Sequence, residues 1–143
     1  MGADKGGEGS PERTIVAREG SDVCHMVFIG DIDGAEMQRI LDAQKEVMAG
    51  CDYALLLIDM TRLRHATPEA RKIGAEARTL NAIGAAIFGA SFAIRVLAKL
   101  VTTAGAILRK TKPGDIPQEF FETEEEAVAW LNHRRAEYLK ARP

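Results

Sequence analysis

Apolar residues gather most densely at Ala54 to Ile58, a run of five with no polar break. It is too short for a surface helix and lacks the polar alternation of a strand with one wet face. It therefore predicts a strand buried on both sides, with layers above and below it. The run stops at Asp59, and Arg62, Arg64 and His65 read as a basic loop. Thr67-Pro68-Glu69 then opens a helix with a hydroxyl N-cap, a proline in the first turn and an acid beside it. A strand that ends in a helix start makes a platform, because ligands of open α/β sheets sit beyond the carboxyl ends of the strands and helix N-termini offer unpaired N–H groups.

The flanking pattern supplies the other elements. Thr14 to Arg18 and Val23 to Ile29 are β-type runs joined by the turn composition Glu19-Gly20-Ser21-Asp22, which predicts a hairpin. Asp33 with Glu36 three residues on caps a helix whose stripe of Met37, Ile40, Leu41, Val47 and Met48 is broken only by Gln44 and ends at Ala49-Gly50. The helix from Pro68 to about Leu80 places Ile73, Ala77 and Leu80 inward. Gly84 to Ala90 is a second buried strand, parallel to the first and reached by a right-handed crossover. Ser91 begins the longest apolar helix, with a wide stripe from Phe92 to Leu108 and Arg95 and Lys99 one turn apart on the other face. Glu119 to Phe121 is a last short strand, and Thr123 with Glu126 forms a capping box for a closing helix carrying Ala127, Trp130 and Leu131. The sum is an α/β domain over residues 13–143. It has a small mixed sheet of about five strands, an N-terminal hairpin plus parallel central strands, packed with four helices.

Length and composition agree with one globular domain, since 143 residues at 46% hydrophobic supply a core of that size. Residues 1–12, polar and glycine-rich, read as a disordered tail without the apolar segment of a signal peptide. No run approaches the length of a transmembrane helix. Cys24 and Cys51 are the only cysteines, which argues against a disulfide framework or a zinc site and makes the reducing cytoplasm the expected location. The net charge of −2 conceals an asymmetry. Residues 61–112 hold ten Lys/Arg against Glu69 and Glu76 alone, whereas residues 13–60 hold four against nine acids. If those charges share a face, the expected partner is anionic: an acidic protein patch or a lipid headgroup surface ahead of nucleic acid.

Taken together, the hairpin and helix, the apolar strand closed by Asp59, the helix at Thr67-Pro68-Glu69-Ala70-Arg71, the segment AAIFGASFAIRVLAKL and the pattern FFETEEEAVAWL resemble a SpoIIAA-like protein. That group is related to the STAS domains of anti-sigma-factor antagonists and is similar to CRAL-TRIO lipid-transfer domains. The resemblance spans roughly residues 13 to 132. It implies a small mixed sheet with helices packed against it, no established catalysis, and regulation through protein or ligand binding. This chain departs from STAS antagonists where their strand leads to an Asp-Ser pair whose serine is phosphorylated. Pro68 and Glu69 stand there instead, so that switch does not carry over, and Thr67 is the nearby hydroxyl.

Catalytic readings fail on pattern. Asp59, His65 and Ser91 are the residue types of a triad, but Ser91 lacks the Gly-x-Ser-x-Gly elbow. The glycines of Gly84 to Ser91 match neither a dinucleotide fingerprint nor a phosphate loop. His25 and His133 have no partner at ligand spacing, so no metal and no cofactor is expected. Two binding readings remain, with a hydrolase as the residual. The leading one is a non-catalytic STAS-like regulatory module that docks an acidic protein on the face of Asp59, Arg62, Arg64, His65 and Thr67. The other is a carrier or sensor of an anionic amphipathic, lipid-like ligand on the stripe of Phe92, Arg95, Val96, Lys99 and Leu100. A homodimer seam is the competing explanation of that stripe.

Overall fold

The computed structural model describes residues 12–77, 81–96 and 116–142. The two N-terminal runs pair as a hairpin, β1 (Ile15–Glu19) and β2 (Val23–Ile32), in antiparallel register from Ile15 opposite Val27 to Glu19 opposite Val23. Helix α1 (Gly34–Val47) follows, with the Asp33 carboxylate accepting the Glu36 N–H at 2.8 Å. Next come β3 (Ala54–Ala66), α2 (Pro68–Glu76), β4 (Ala82–Phe88), β5 (Gln118–Phe121) and α3 (Glu124–Ala141). Residues 92–96 are helical, and residues 97–115 lie outside the described residues. The sheet order is β1-β2-β3-β4-β5, parallel throughout except for the hairpin.

The central run behaves as its unbroken apolar character requires. Leu56 and Ile58 of β3 join Cys24, Met26 and Phe28 of β2 under α1 and α2. Leu55 and Leu57 point the other way and join Ala86 and Phe88 of β4 beneath α3. Successive residues thus feed opposite layers, as side-chain alternation along a strand dictates. On the first face Gln44 interrupts the apolar stripe without breaking it, because its amide nitrogen lies 2.8 Å from the Met26 sulfur.

Helix α3 is fixed at both ends. Its capping box is complete: the Thr123 hydroxyl accepts the Glu126 N–H at 3.2 Å and the Glu126 carboxylate accepts the Thr123 N–H at 3.3 Å. Its middle turn presses Trp130 onto β4 at Gly84, where a Cβ would stand 3.4 Å from the indole, and against Phe121 at 5.9 Å between ring centroids. Its last turns are tied to the hairpin by Arg135, which donates to the Asp22 carboxylate at 2.7 and 2.9 Å, while the Tyr53 hydroxyl donates to the same group at 2.7 Å. The Arg135 guanidinium holds the Asp22 carboxyl below its ordinary pKa, outweighing the opposite effect of burial.

Several boundaries differ from the sequence reading. The strand predicted to stop at Ile58 runs on to Ala66, so Arg62, Arg64 and His65 lie on a strand and not in a loop. β2 likewise continues past Ile29 to Ile32, and the two pair as a ribbon beyond the rest of the sheet. β4 starts and stops two residues earlier than predicted, because Gly89 turns with φ +76 and closes against the Thr61 backbone, its own N–H reaching Phe121 O at 3.4 Å. Helix α2 ends at Glu76, and the predicted inward position Leu80 lies outside the described residues.

Candidate functional site

The β2–β3 ribbon carries the candidate residues. β4 pairs with β3 only as far as Asp59 opposite Phe88, whereas β2 stays paired with β3 up to Ile32 opposite Ala66. Two register shifts place extra residues on β3, one between the pairs Val27–Asp59 and Ile29–Arg62, the other between Gly30–Leu63 and Asp31–His65. Each is a bulge, which bends and twists the strand. Gly30 sits between them at φ +73, a backbone conformation suited to glycine. The residues that turn inward to the α1–α2 core are Ile58, Leu63 and Ala66, while Thr61, Arg62, Arg64 and His65 are exposed.

The five candidate positions separate into different jobs. The Asp59 carboxylate accepts the Thr61 N–H at 2.8 Å and the Thr61 hydroxyl at 2.7 Å, fixing the first bulge next to the Gly89 contact. Arg62 pairs with Glu12. Arg64 makes a two-pronged contact with Asp31, at 3.1 and 3.0 Å, with side chains 75% and 60% exposed. The Arg64 guanidinium, and His65 more weakly, lower the Asp31 pKa. Thr67 is the N-cap of α2: its hydroxyl accepts the Ala70 N–H at 3.1 Å and its own N–H donates to Ile32 O at 3.0 Å. Arg71, one turn into α2, donates to Ala66 O at 2.6 Å and clamps the strand end to the helix. Arg62, Arg64, His65 and Thr67 therefore share the ribbon end, and Asp59 supports it from below.

Sequence reasoning missed the carboxylates that answer these cations. Asp31 and Glu12 balance the ribbon arginines, and beside them Glu36 holds Arg39 at 2.7 Å and Arg13 at 2.5 Å. Hydrogen bonds and charge from Arg39 and then Arg13 bring the Glu36 pKa down to about 2, against the effect of burial. Only the Glu36–Arg39 spacing of three on one helix was a readable signal. The basic surplus is thus locally paired along the ribbon. Arg78, Lys99, Arg109, Lys110 and Lys112, which contribute to the surplus, lie outside the described residues.

The second candidate face is seen at its beginning only. The Ser91 hydroxyl accepts the Ile94 N–H at 3.2 Å and starts the helical turn. Phe92 is 79% exposed and Val96 is 41% exposed, with Arg95 half-buried. Lys99 and Leu100 lie outside the described residues. Phe92 and Val96, named for a ligand or dimer face, are both exposed and one turn apart. Asp59 and Ser91 are each engaged in local caps, and no hydrogen bond joins Asp59, His65 and Ser91 among the described residues. Burial pushes the Cys24 thiol up to about 11, which keeps it protonated and unreactive. Among the described residues no three His, Cys, Asp or Glu side chains converge as a metal site, and no helix is long and apolar enough to cross a membrane.

A model of the family described as a domain of unknown function, DUF7793, matches residues 22–135. Among solved structures, an uncharacterized DUF3478-family protein with a SpoIIAA-like fold from Shewanella loihica PV-4 aligns at a TM-score of 0.55 and 20% identity. That alignment covers 82% of this chain and 91% of that one. The anti-sigma factor antagonist SpoIIAA in its unphosphorylated form aligns at a TM-score of 0.55 and 12% identity, over 83% of this chain and 97% of that one. No curated protein sequence matches. At these identities the shared property is the fold, and the five-stranded mixed sheet with its helices is SpoIIAA-like.

Proposed function

We propose that this chain, which belongs to the DUF7793 family, is a regulatory module that acts by binding a protein partner and not by catalysis. The solved protein of the same fold that is named as an anti-sigma factor antagonist supports a regulatory role. The observation that carries the reading is the ribbon end: β2 and β3 run past the rest of the sheet and present Arg62, Arg64 and His65 beside the start of α2. The ion pairs of Arg62 and Arg64 have both members exposed, and such solvent-screened pairs contribute little to stability. An acidic partner exchanges its own carboxylates for Asp31 and Glu12 at small cost. The ribbon end thus becomes a cationic docking face only when the partner takes over those pairs.

The test is charge reversal. The Arg62→Glu/Arg64→Glu variant and the parent protein are used to capture partners from the native host, and the captured protein is then titrated against both by calorimetry at two salt concentrations. The expected result is at least a tenfold loss of affinity in the variant and a shallower salt dependence. Equal affinity with equal salt dependence overturns the reading.

A second reading is favoured by Phe92 and Val96, apolar and exposed one turn apart. They make the start of an apolar contact, taken by a second copy of the chain or by a lipid-like ligand. Native mass spectrometry of the parent protein and of Phe92→Ser separates the two. A dimer that Phe92→Ser dissociates supports the seam, and a lipid-sized adduct that Phe92→Ser releases supports the carrier. A bare monomer in both removes this reading.

A further inference from the structure

Helix α3 covers β3, β4 and β5 but leaves an opening toward the hairpin. There, between the β1–β2 turn and α3, lies a cleft of about 250 Å³. Its floor is apolar, with Val23 and Leu57 from the sheet and Leu131 and the exposed Val128 from the helix. Its rim is polar: Glu19 and Asp22 on the hairpin side, Asn132 and Arg135 on the helix side.

The rim groups differ in what they have left to offer. Asp22 is committed to Arg135 and Tyr53, and Arg135 to Asp22 and the Asn132 side-chain oxygen. Glu19 keeps its carboxylate at the mouth, its side chain 53% exposed and bonded to His25 Nδ1 at 2.5 Å. His25, two residues from Val23 and in register with Leu57, holds Glu19 from the same sheet face without lining the cleft itself. Its Nε2 is buried and has no hydrogen-bond partner among the described residues. The Glu19 carboxylate, which keeps lone pairs beyond its bond to His25, is therefore an acceptor at the mouth. With Glu19 and Asp22 set against Arg135 alone, the rim also carries one surplus negative charge.

We propose that this cleft is a binding site for a small apolar amine. The ammonium pairs with Glu19, and the hydrocarbon body lies on Val23, Leu57, Val128 and Leu131. An apolar cavity of about 150 Å³ takes benzene, so this space holds a six-carbon chain. The site lies at the opening end of β2, away from the ribbon end where β2 closes, and does not depend on the docking reading.

The test uses proton–nitrogen correlation spectra of the full chain titrated with hexylamine, hexanol and hexanoate. Hexylamine is expected to give saturable shifts at the amides of Gly20, Val23, Leu57 and Asn132, with hexanoate at least tenfold weaker. Glu19→Gln should raise the hexylamine Kd about tenfold and leave hexanol unchanged, because only the amine uses the charge. Val128→Trp, an exposed helix position that keeps the fold, fills the cleft and should abolish both. Absence of saturable shifts, shifts that map elsewhere, hexanoate binding as tightly as hexylamine, or hexylamine binding indifferent to both variants overturns the proposal.

Discussion

Thr67 shows how the role of a single hydroxyl can be read from sequence. Its place before Pro68 marks it as an N-cap, and the structure puts its oxygen on the Ala70 N–H. Thr67→Ala should cost about 1 kcal/mol, measured by urea denaturation, while Thr67→Asp should retain most of the stability because a carboxylate caps as well. The caps at Asp33 and Thr123 were legible for the same reason: donor and acceptor lie three residues apart. Asp31 and Glu12 were not, because their partners Arg64 and Arg62 are distant in sequence and meet them only in the folded chain. Glu36 gives the clearest pH signature. Its folded pKa of about 2 lies below the unfolded value near 4.3, so its ion pairs stabilise the fold fully above that unfolded value. The contribution fades as pH falls toward the folded one. Stability measured through this window should therefore decline for the parent protein and decline less for Glu36→Gln.

The β2–β3 ribbon is the element that the sequence concealed. A strand with one buried face announces itself by a period of two, but the bulges insert single residues into β3, so the inward positions Ile58, Leu63 and Ala66 fall five and then three apart. That spacing, with Arg62, Arg64 and His65 between, looks like a charged loop. The run Ala54 to Ile58 was legible because it precedes the first bulge. Gly89 is the other hidden determinant, since its turn ends β4 and closes on Thr61 at the root of the ribbon. Gly89→Ala combines a left-handed backbone with a side-chain clash against Thr61, and should destabilise by about 2 kcal/mol in thermal or urea melts. Because the contact holds the first bulge, the same variant should also speed amide exchange at Thr61 and Arg62. Exchange unchanged there would mean that the bulge is fixed by Asp59 alone.

At the scale of the molecule, the order of hairpin, helices and parallel strands was readable because each element has its own local pattern. The strand order was not, since β-strand neighbours are chosen by packing that no short window contains. The charge asymmetry was equally visible but incomplete: counting cations along the segment could not reveal that the fold returns Asp31 and Glu12 to the arginines. That pairing balances Arg62 and Arg64 within the chain, and in the docking we propose a partner's carboxylates replace Glu12 and Asp31. The most direct measurement is hydrogen exchange along the chain, free and bound to the partner recovered by capture. Docking at the ribbon end predicts slowed exchange from Asp59 through Lys72 and little change in α3 or in the turn at 92–96. Protection confined to α3 or to the Phe92 turn, with the ribbon exchanging as in the free protein, would contradict the account.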